Sequence, residues 1–356
     1  MNNSFAPLRR ALVHNHRMKR ARLSSAAVAL AATSALVVGS GASSQASTVV
    51  VASRASRSGT TLADVTLHVG DQAGAGSESL LKAAGLLSKL PFKVQWADFP
   101  SGPPMLQAEA AGSIDVGEVG DAPPVFALSG GAKLALVEAI GTDPTGTALL
   151  VAKGSKVERV SQLAGKTIAV AQGSSSDYHL LITLEKAGLS VKDVTIEYLE
   201  PAEALAALSS EKVAAWDVWS PYVEEAEADG ARSIADGSTT GITYSFEVAS
   251  KAALANRSTA AAIRVYLTEV NKAYAWERAH TSAWATTWGQ ATGLSLAIMD
   301  RATKDDIFSP SPVTTEVLRS EQSVANAFFT AGLIPEKVDI SSAAYTGYNS
   351  LFSSHK

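Results

Sequence analysis

From about residue 64 onward the chain alternates short apolar runs with segments whose apolar positions recur at helical spacing. That alternation predicts an α/β protein with largely parallel sheets. Strands are expected over 65–70, 92–99, 114–119 and 134–140, with helices over 77–88, 103–111 and 123–129 between them. A second α/β unit starts at 148–152, with further strands over 167–171, 194–199, 213–218 and 232–235. Its helices are expected over 160–163, 176–186, 202–208 and 222–228, and Gly188 is placed to terminate the second of these. Beyond Ser245 the pattern turns predominantly helical, over 259–281, 283–292 and 314–330. In the first of these, Ala262, Val265, Tyr266, Val270 and Tyr274 share one face.

Three of the predicted helix starts carry candidate chemistry. In Phe99-Pro100-Ser101-Gly102-Pro103-Pro104 and Gly120-Asp121-Ala122-Pro123-Pro124, a capping residue, Ser101 or Asp121, is followed by prolines. Proline at the first helical positions sacrifices only an N–H that has no helical acceptor. The third, Gly173-Ser174-Ser175-Ser176, follows an apolar strand-like run with a glycine and three hydroxyls. Exposed helix N-termini present free N–H groups and a positive dipole end, so several of them meeting in one cleft make an anion site without lysine or arginine. An ordinary turn with a serine cap is the alternative for 173–176.

The first residues change what counts as the folded protein. Arg9, Arg10, Arg17, Lys19, Arg20 and Arg22 precede an apolar, alanine-rich run over 26–38 and a small-residue zone with candidate cleavage points after Ala42 and Ala46. This is the pattern of a secretory signal, with Met1 or Met18 as its start, and the run is too short for a membrane anchor. Losing six basic and no acidic residues takes the formal charge from −4 to about −10. Such a balance gives no case for nucleic-acid binding. The chain has no cysteine, which removes disulfides, a lipidated cysteine and a cysteine nucleophile. About 300 residues would remain, more than one core usually takes, so two lobes are expected.

Taken in order, these segments resemble the aliphatic sulfonate-binding proteins of ABC importers, within the wider group that captures sulfonates, taurine and nitrate. The resemblance runs from about Val65 to Asp339. Besides the three helix starts it is carried by Gly112-Ser113-Ile114-Asp115, Leu163-Ala164-Gly165-Lys166, Trp216 with Trp219, Pro221 and Tyr222, and Ile334-Pro335-Glu336-Lys337-Val338-Asp339. It implies a type II periplasmic-binding-protein fold, in which two α/β lobes joined by two crossing segments close over a solute, with a helical C-terminal part. The crossings are expected near 149–153 and 244–251. The division that follows is a signal over 1–46, a flexible lead-in over 47–63, lobe 1 over 64–149, lobe 2 over 150–245, and a mostly helical return to lobe 1 over 246–356.

The resemblance implies capture of an organosulfonate and its delivery to a membrane permease powered by a separate ATPase, for sulfur acquisition. It implies an exported monomer, periplasmic or held at the cell envelope, with no cofactor. The chain itself has no phosphate-binding Gly-x-x-x-x-Gly-Lys-Ser segment. The candidate ligand-binding residues are Gln72, Ser101, Gly102, Pro103, Gly120, Asp121, Ala122, Gly173, Ser174, Ser175, Ser176 and Trp219. The Asp121 carboxylate would repel an anion, so contact there is expected from the backbone around Ala122. Strand alternation favours Trp219 over Trp216 as a cleft wall. His179 is expected at the rim or in packing.

Departures from the family pattern keep alternatives open. Asp71, Glu118 and Asp217 stand where the family has other residues, and acids beside an anion site cost binding energy unless the ligand also carries a positive group. A taurine-like aminosulfonate, nitrate or another small anion is therefore an alternative ligand. An enzyme on the same scaffold is the competing class. It finds no support in a Gly-x-Ser-x-Gly elbow or in metal-ligand spacing among the six histidines.

Overall fold

Two mixed β-sheets, each flanked by helices, organise the chain, which the computed structural model describes over residues 61–72, 76–240, 243–305 and 308–352. The expected signal and most of the expected lead-in lie outside the described residues. The described residues belong to one compact unit, Ser58–Lys356. Its elements run β1 (Thr66–Gln72), α1 (Ser77–Ala83), β2 (Lys93–Phe99), α2 (Gly102–Ala110), β3 (Val116–Val119), α3 (Ala122–Ser129) and β4 (Leu134–Thr142). Next come β5 (Thr147–Val151), β6 (Thr167–Val170), α4 (Ser175–Lys186), β7 (Thr195–Tyr198), α5 (Pro201–Ser209), β8 (Ala215–Trp219), α6 (Tyr222–Ala228) and β9 (Arg232–Asp236). The remainder is β10 (Thr243–Ser250), α7 (Lys251–Ala255), α8 (Arg257–Ala279), α9 (Thr281–Thr292), α10 (Leu296–Asp305), β11 (Ser309–Ser311) and α11 (Thr315–Thr330).

The larger sheet has the order β11-β4-β10-β3-β1-β2 and the smaller one β7-β6-β8-β5-β9. One face of the larger sheet packs Leu67, Val69 and Val116 against α1, α8, α9 and α10, with Tyr266, Val270 and Trp288 fully inside. Its other face packs Phe246 and Val248 against α2, α3 and α11. The smaller sheet buries Trp216 and Val218 under α5 and α6, and Ile168 and Val170 under α4. Period-two alternation decides these choices, since neighbouring residues of a strand serve opposite faces.

The expectation of largely parallel sheets is corrected. Pairs β1–β2, β1–β3, β6–β7 and β6–β8 are parallel. The other five pairs are antiparallel. The chain leaves the larger sheet after β4 and re-enters it as β10, and each crossing delivers a strand in the reverse direction. The crossings themselves lie earlier than expected: 149–151 is already inside β5 of the smaller sheet, and 244–250 is inside β10 of the larger one. The first runs instead from Thr142 to Thr147; for the second, β9 ends at Asp236 and β10 begins at Thr243.

Two further differences have local causes. The first helix ends at Ala83 because Gly85 turns left-handed at φ +68°, so residues 87–89 form a separate 3₁₀ turn. β10 and α10 were missed by the helical reading of the C-terminal part. In β10 the signal is plain alternation, with Phe246 and Val248 turned to one side and Glu247 to the other.

Candidate functional site

The first turn of α4 is built by its own side chains. Ser174 caps it, its hydroxyl accepting from the Asp177 N–H at 3.3 Å and donating to the Ala171 carbonyl at 2.7 Å. The Gly173 N–H donates to the Asp177 carboxylate at 2.9 Å. That leaves the N–H groups of Ser175 and Ser176 as the donors no described acceptor takes, at the positive end of a twelve-residue helix. The starts of α2 and α3 offer less, because Pro103, Pro104, Pro123 and Pro124 have no N–H to give.

These starts meet at a cavity of about 140 Å³ where the strands of both sheets end. The larger sheet supplies Gln72, Glu118, Thr142, Tyr244 and Ser245, and the turns after β2 and β3 supply Gly102, Gly120 and Asp121. The smaller sheet supplies Trp219 and Ser220, the start of α4 supplies Ser174 and Ser175, and the first crossing adds Asp143 and Gly146. Trp219 stands edge-on to Tyr222 at 6.0 Å, while Trp216 is buried in the core. Among the described residues no lysine, arginine or histidine lines this cavity.

Of the twelve candidate residues, Gln72, Gly102, Gly120, Asp121, Ser174, Ser175 and Trp219 come together there. Ser101, Pro103, Ala122, Gly173 and Ser176 do not line it. Ser101 and Ser176 are fully buried, and their hydroxyl oxygens have no hydrogen-bond partner among the described residues. Gly173 instead receives the Phe126 ring, which comes to 2.9 Å of the position a Cβ would take, and its φ of +71° suits glycine. Sequence reasoning missed the wall formed by Thr142, Asp143, Gly146, Tyr244 and Ser245. Its signal is the position of the crossings, which lie several residues earlier than the sequence pattern places them.

The acids sort differently from the expectation that all three crowd the ligand. Asp71 turns away and caps α1, its carboxylate accepting from the Ser77 and Glu78 N–H groups at 3.1 and 3.2 Å. Asp217 is buried and holds His179, which is neither rim nor simple packing, at 2.8 Å. Burial alone would depress that imidazole, but the charge and hydrogen bond of Asp217, with Asp236 behind it, raise it. Glu118 does line the cavity. Gln72 donates from Nε2 to its backbone carbonyl at 3.0 Å, and the Tyr274 hydroxyl donates to its carboxyl group. Burial raises Glu118 to about 7. Burial also raises Asp121, to about 6, against the opposing effect of the Ser175 hydroxyl.

Two α/β halves joined by two crossings, with a cavity between them, define the two-lobed fold of periplasmic binding proteins. The chain belongs to the NMT1-like family, which it matches over residues 64–288. It is 35% identical to an aliphatic sulfonates-binding protein of Escherichia coli (strain K12), across 77% of this chain and 86% of that one. Among solved structures it resembles the alkanesulfonate-binding protein SsuA from Xanthomonas axonopodis pv. citri bound to MOPS. The TM-score is 0.75 at 33% identity, over 79% of this chain and 98% of that one. It also resembles the periplasmic aliphatic sulphonate binding protein SsuA from Escherichia coli, with a TM-score of 0.71 at 34% identity, over 79% and 92% of the two chains.

Proposed function

We propose that this chain is the extracytoplasmic solute-binding component of an ABC importer and that it captures an organosulfonate between its two lobes. The observation that carries this reading is the cavity at the lobe junction, with neutral donors from the start of α4 and Gln72, a wall of Trp219 and Tyr244, and no basic side chain among the described residues. A sulfonate stays ionised throughout the physiological range and accepts hydrogen bonds only, so N–H and O–H donors suffice to hold it. The aromatic wall suits the organic remainder. Kinship with sulfonate-binding proteins supports the same ligand class.

The protein acts by binding without turnover. Gln72, Gly102, Gly120, Ser174, Ser175 and Trp219 hold the solute, and closure joins donors from both lobes so that ligand favours the closed state. The loaded monomer then docks on a membrane permease driven by a separate ATPase. The signal-like pattern at the start of the sequence and the periplasmic relative support export. Isothermal titration with ethanesulfonate, longer alkanesulfonates, sulfate and nitrate tests the reading, with product analysis after long incubation. Sulfonate binding with unchanged ligand supports it; a preference for nitrate or sulfate, or conversion of the ligand, overturns it.

A taurine-like aminosulfonate is the second reading, and Glu118 is the observation that favours it. Its carboxyl group at the cavity wall could receive an ammonium. Taurine binding more tightly than ethanesulfonate would decide for it.

A further inference from the structure

Glu118, at the cavity wall, is the middle member of a row of carboxyl groups that crosses the larger sheet. On β10, Glu247 stands directly opposite Glu118 of β3 and, on its other side, directly opposite Glu138 of β4. The pair Glu247–Glu138 closes the regular run that starts at Thr243–Thr142; a bulge follows it, where Val137 is skipped and Val248 stands opposite Leu136. On the far side of β3, Asp71 of β1 continues the row and is paired in register with Asp98 of β2. Five adjacent strands thus carry a carboxyl group at one level, and the innermost of these groups are shut away from water. Glu138 and Glu247 are fully buried, and both carboxyl oxygens of Glu247 lack a hydrogen-bond partner among the described residues.

What faces the row does not neutralise it. From α8, Tyr274 donates to Glu118, Asn271 donates to Glu138 at 3.0 Å, and Tyr266 and Glu277 complete the cover. From α2, Glu109 approaches Glu247 from the opposite side of the sheet. Arg278 bears on Glu277 only, and it donates to the Phe308 carbonyl. Carboxylates in direct register in a dry interior cannot all be ionised, because each would face another unpaired charge.

We propose that capture of the sulfonate is coupled to uptake of a proton by this carboxyl row, with Glu118 as the member that senses the ligand. The proposal rests on the sulfonate reading of the cavity. An anion seated against Glu118 disfavours the carboxylate there and favours the acid. The row can accept that proton because Glu247 and Glu138 lie behind Glu118, and charge can be shared among coupled groups without exposing any of them. Burial is the leading influence on each member, raising Asp71 and Glu118 to about 7, Glu138 to about 8 and Glu247 higher still. The coupled row therefore titrates where the protein would work, and anion affinity falls as the pH rises through that range.

The test is calorimetric titration of the full protein with ethanesulfonate at pH 6 to 9 in phosphate, imidazole and Tris, none of them a sulfonate. The dependence of the observed heat on buffer ionisation gives the protons taken up per ligand. The expected result is an uptake rising toward one proton between pH 7 and 8.5, with affinity falling up to tenfold per pH unit there. In Glu118→Gln the uptake should vanish and the affinity should become flat with pH. Glu247→Gln should shift the titration of a wild-type-like uptake. Ethanesulfonate that binds with no proton uptake overturns the proposal and leaves the sulfonate reading intact, as does uptake that survives Glu118→Gln but is lost in Asp121→Asn. Failure of every alkanesulfonate to bind at any pH overturns the reading itself.

Discussion

The Oγ of Ser175 stands 1.9 Å from the point where a Cβ on Gly120 would be, so the hydroxyl of one lobe occupies space that glycine leaves open on the other. This contact joins the start of α4 to the turn after β3 across the cavity. Gly120→Ala is therefore expected to drive the Ser175 side chain out of its place and hinder closure. Ligand affinity should fall about tenfold, which is about 1.4 kcal/mol, while apo stability changes less. Gly120→Ala with Ser175→Gly should recover closure but not the hydroxyl donor, and so bind at an intermediate level. Calorimetric titration of the three proteins with one sulfonate measures this, and unchanged affinity in Gly120→Ala would refute it.

His179 and Asp217 form an ion pair with both side chains essentially inaccessible to solvent, and Thr183 Oγ1 lies 3.2 Å from the other imidazole nitrogen. The pair ties α4 to β8, the strand that carries Trp219. Removing one partner strands a buried charge, so His179→Ala is expected to cost about 3–5 kcal/mol. The double replacement His179→Leu with Asp217→Leu should lie well nearer to wild type, because neither charge is left behind. Denaturant unfolding of the single and double variants checks the order. Equal losses in both would show that packing, not the charge pair, sets the stability here.

Much of the architecture was legible because it rests on local rules. The alternation of strand and helix periods located β1 to β9 and α2 to α6 within a few residues, and the Ser174 cap marked the start of α4. The crossings were not legible to that accuracy, since β4 and β5 are both apolar runs and only pairing tells which sheet each joins. The same gap hid Tyr244, Ser245 and Thr142 from the candidate site. For Gly173, residue type was legible as helix-start chemistry, but the destination of its N–H was not. The carboxylate of Asp177, three residues beyond Ser174, took the Gly173 N–H; the Ser-x-x-Asp spacing carries a signal for such a bond to the cap, though not for which N–H receives it.

Stability should rise as the solution is made mildly acidic. Burial raises Asp121 to about 6, Asp71, Glu118 and Asp177 to about 7, and Glu138 and Glu277 to about 8. In the unfolded chain such groups titrate near 4. Between those values the folded state holds protons that the unfolded state has lost, so stability is greatest at the low end and declines as pH rises through the folded values. His179, raised in the folded state, acts in the same direction. Thermal unfolding at pH 5.5 should exceed that at pH 8.5 by at least about 1.4 kcal/mol, the equivalent of one unit on one group. A melting temperature that is flat or climbs with pH over this range would contradict the assignment.

Arg301 of α10 and Glu227 of α6 form an ion pair that bridges the two halves, since α10 packs on the larger sheet's core and α6 on the smaller sheet's. Neither residue lines the cavity, so the pair bears on closure and not on ligand contact. Arg301 is nearly half exposed, which keeps the contribution small, about 0.2–1 kcal/mol. If the pair is made only in the closed state, removing it destabilises that state and leaves encounter with ligand unaffected. Glu227→Gln should then raise the ligand dissociation rate about two- to fivefold, with little change in the association rate. The difference from wild type should shrink at 1 M salt, where exposed charges are screened over about 3 Å. Stopped-flow tryptophan fluorescence resolves the two rates. A tighter affinity in Glu227→Gln, through faster association or slower dissociation, would instead place the pair in the open state and reverse the argument.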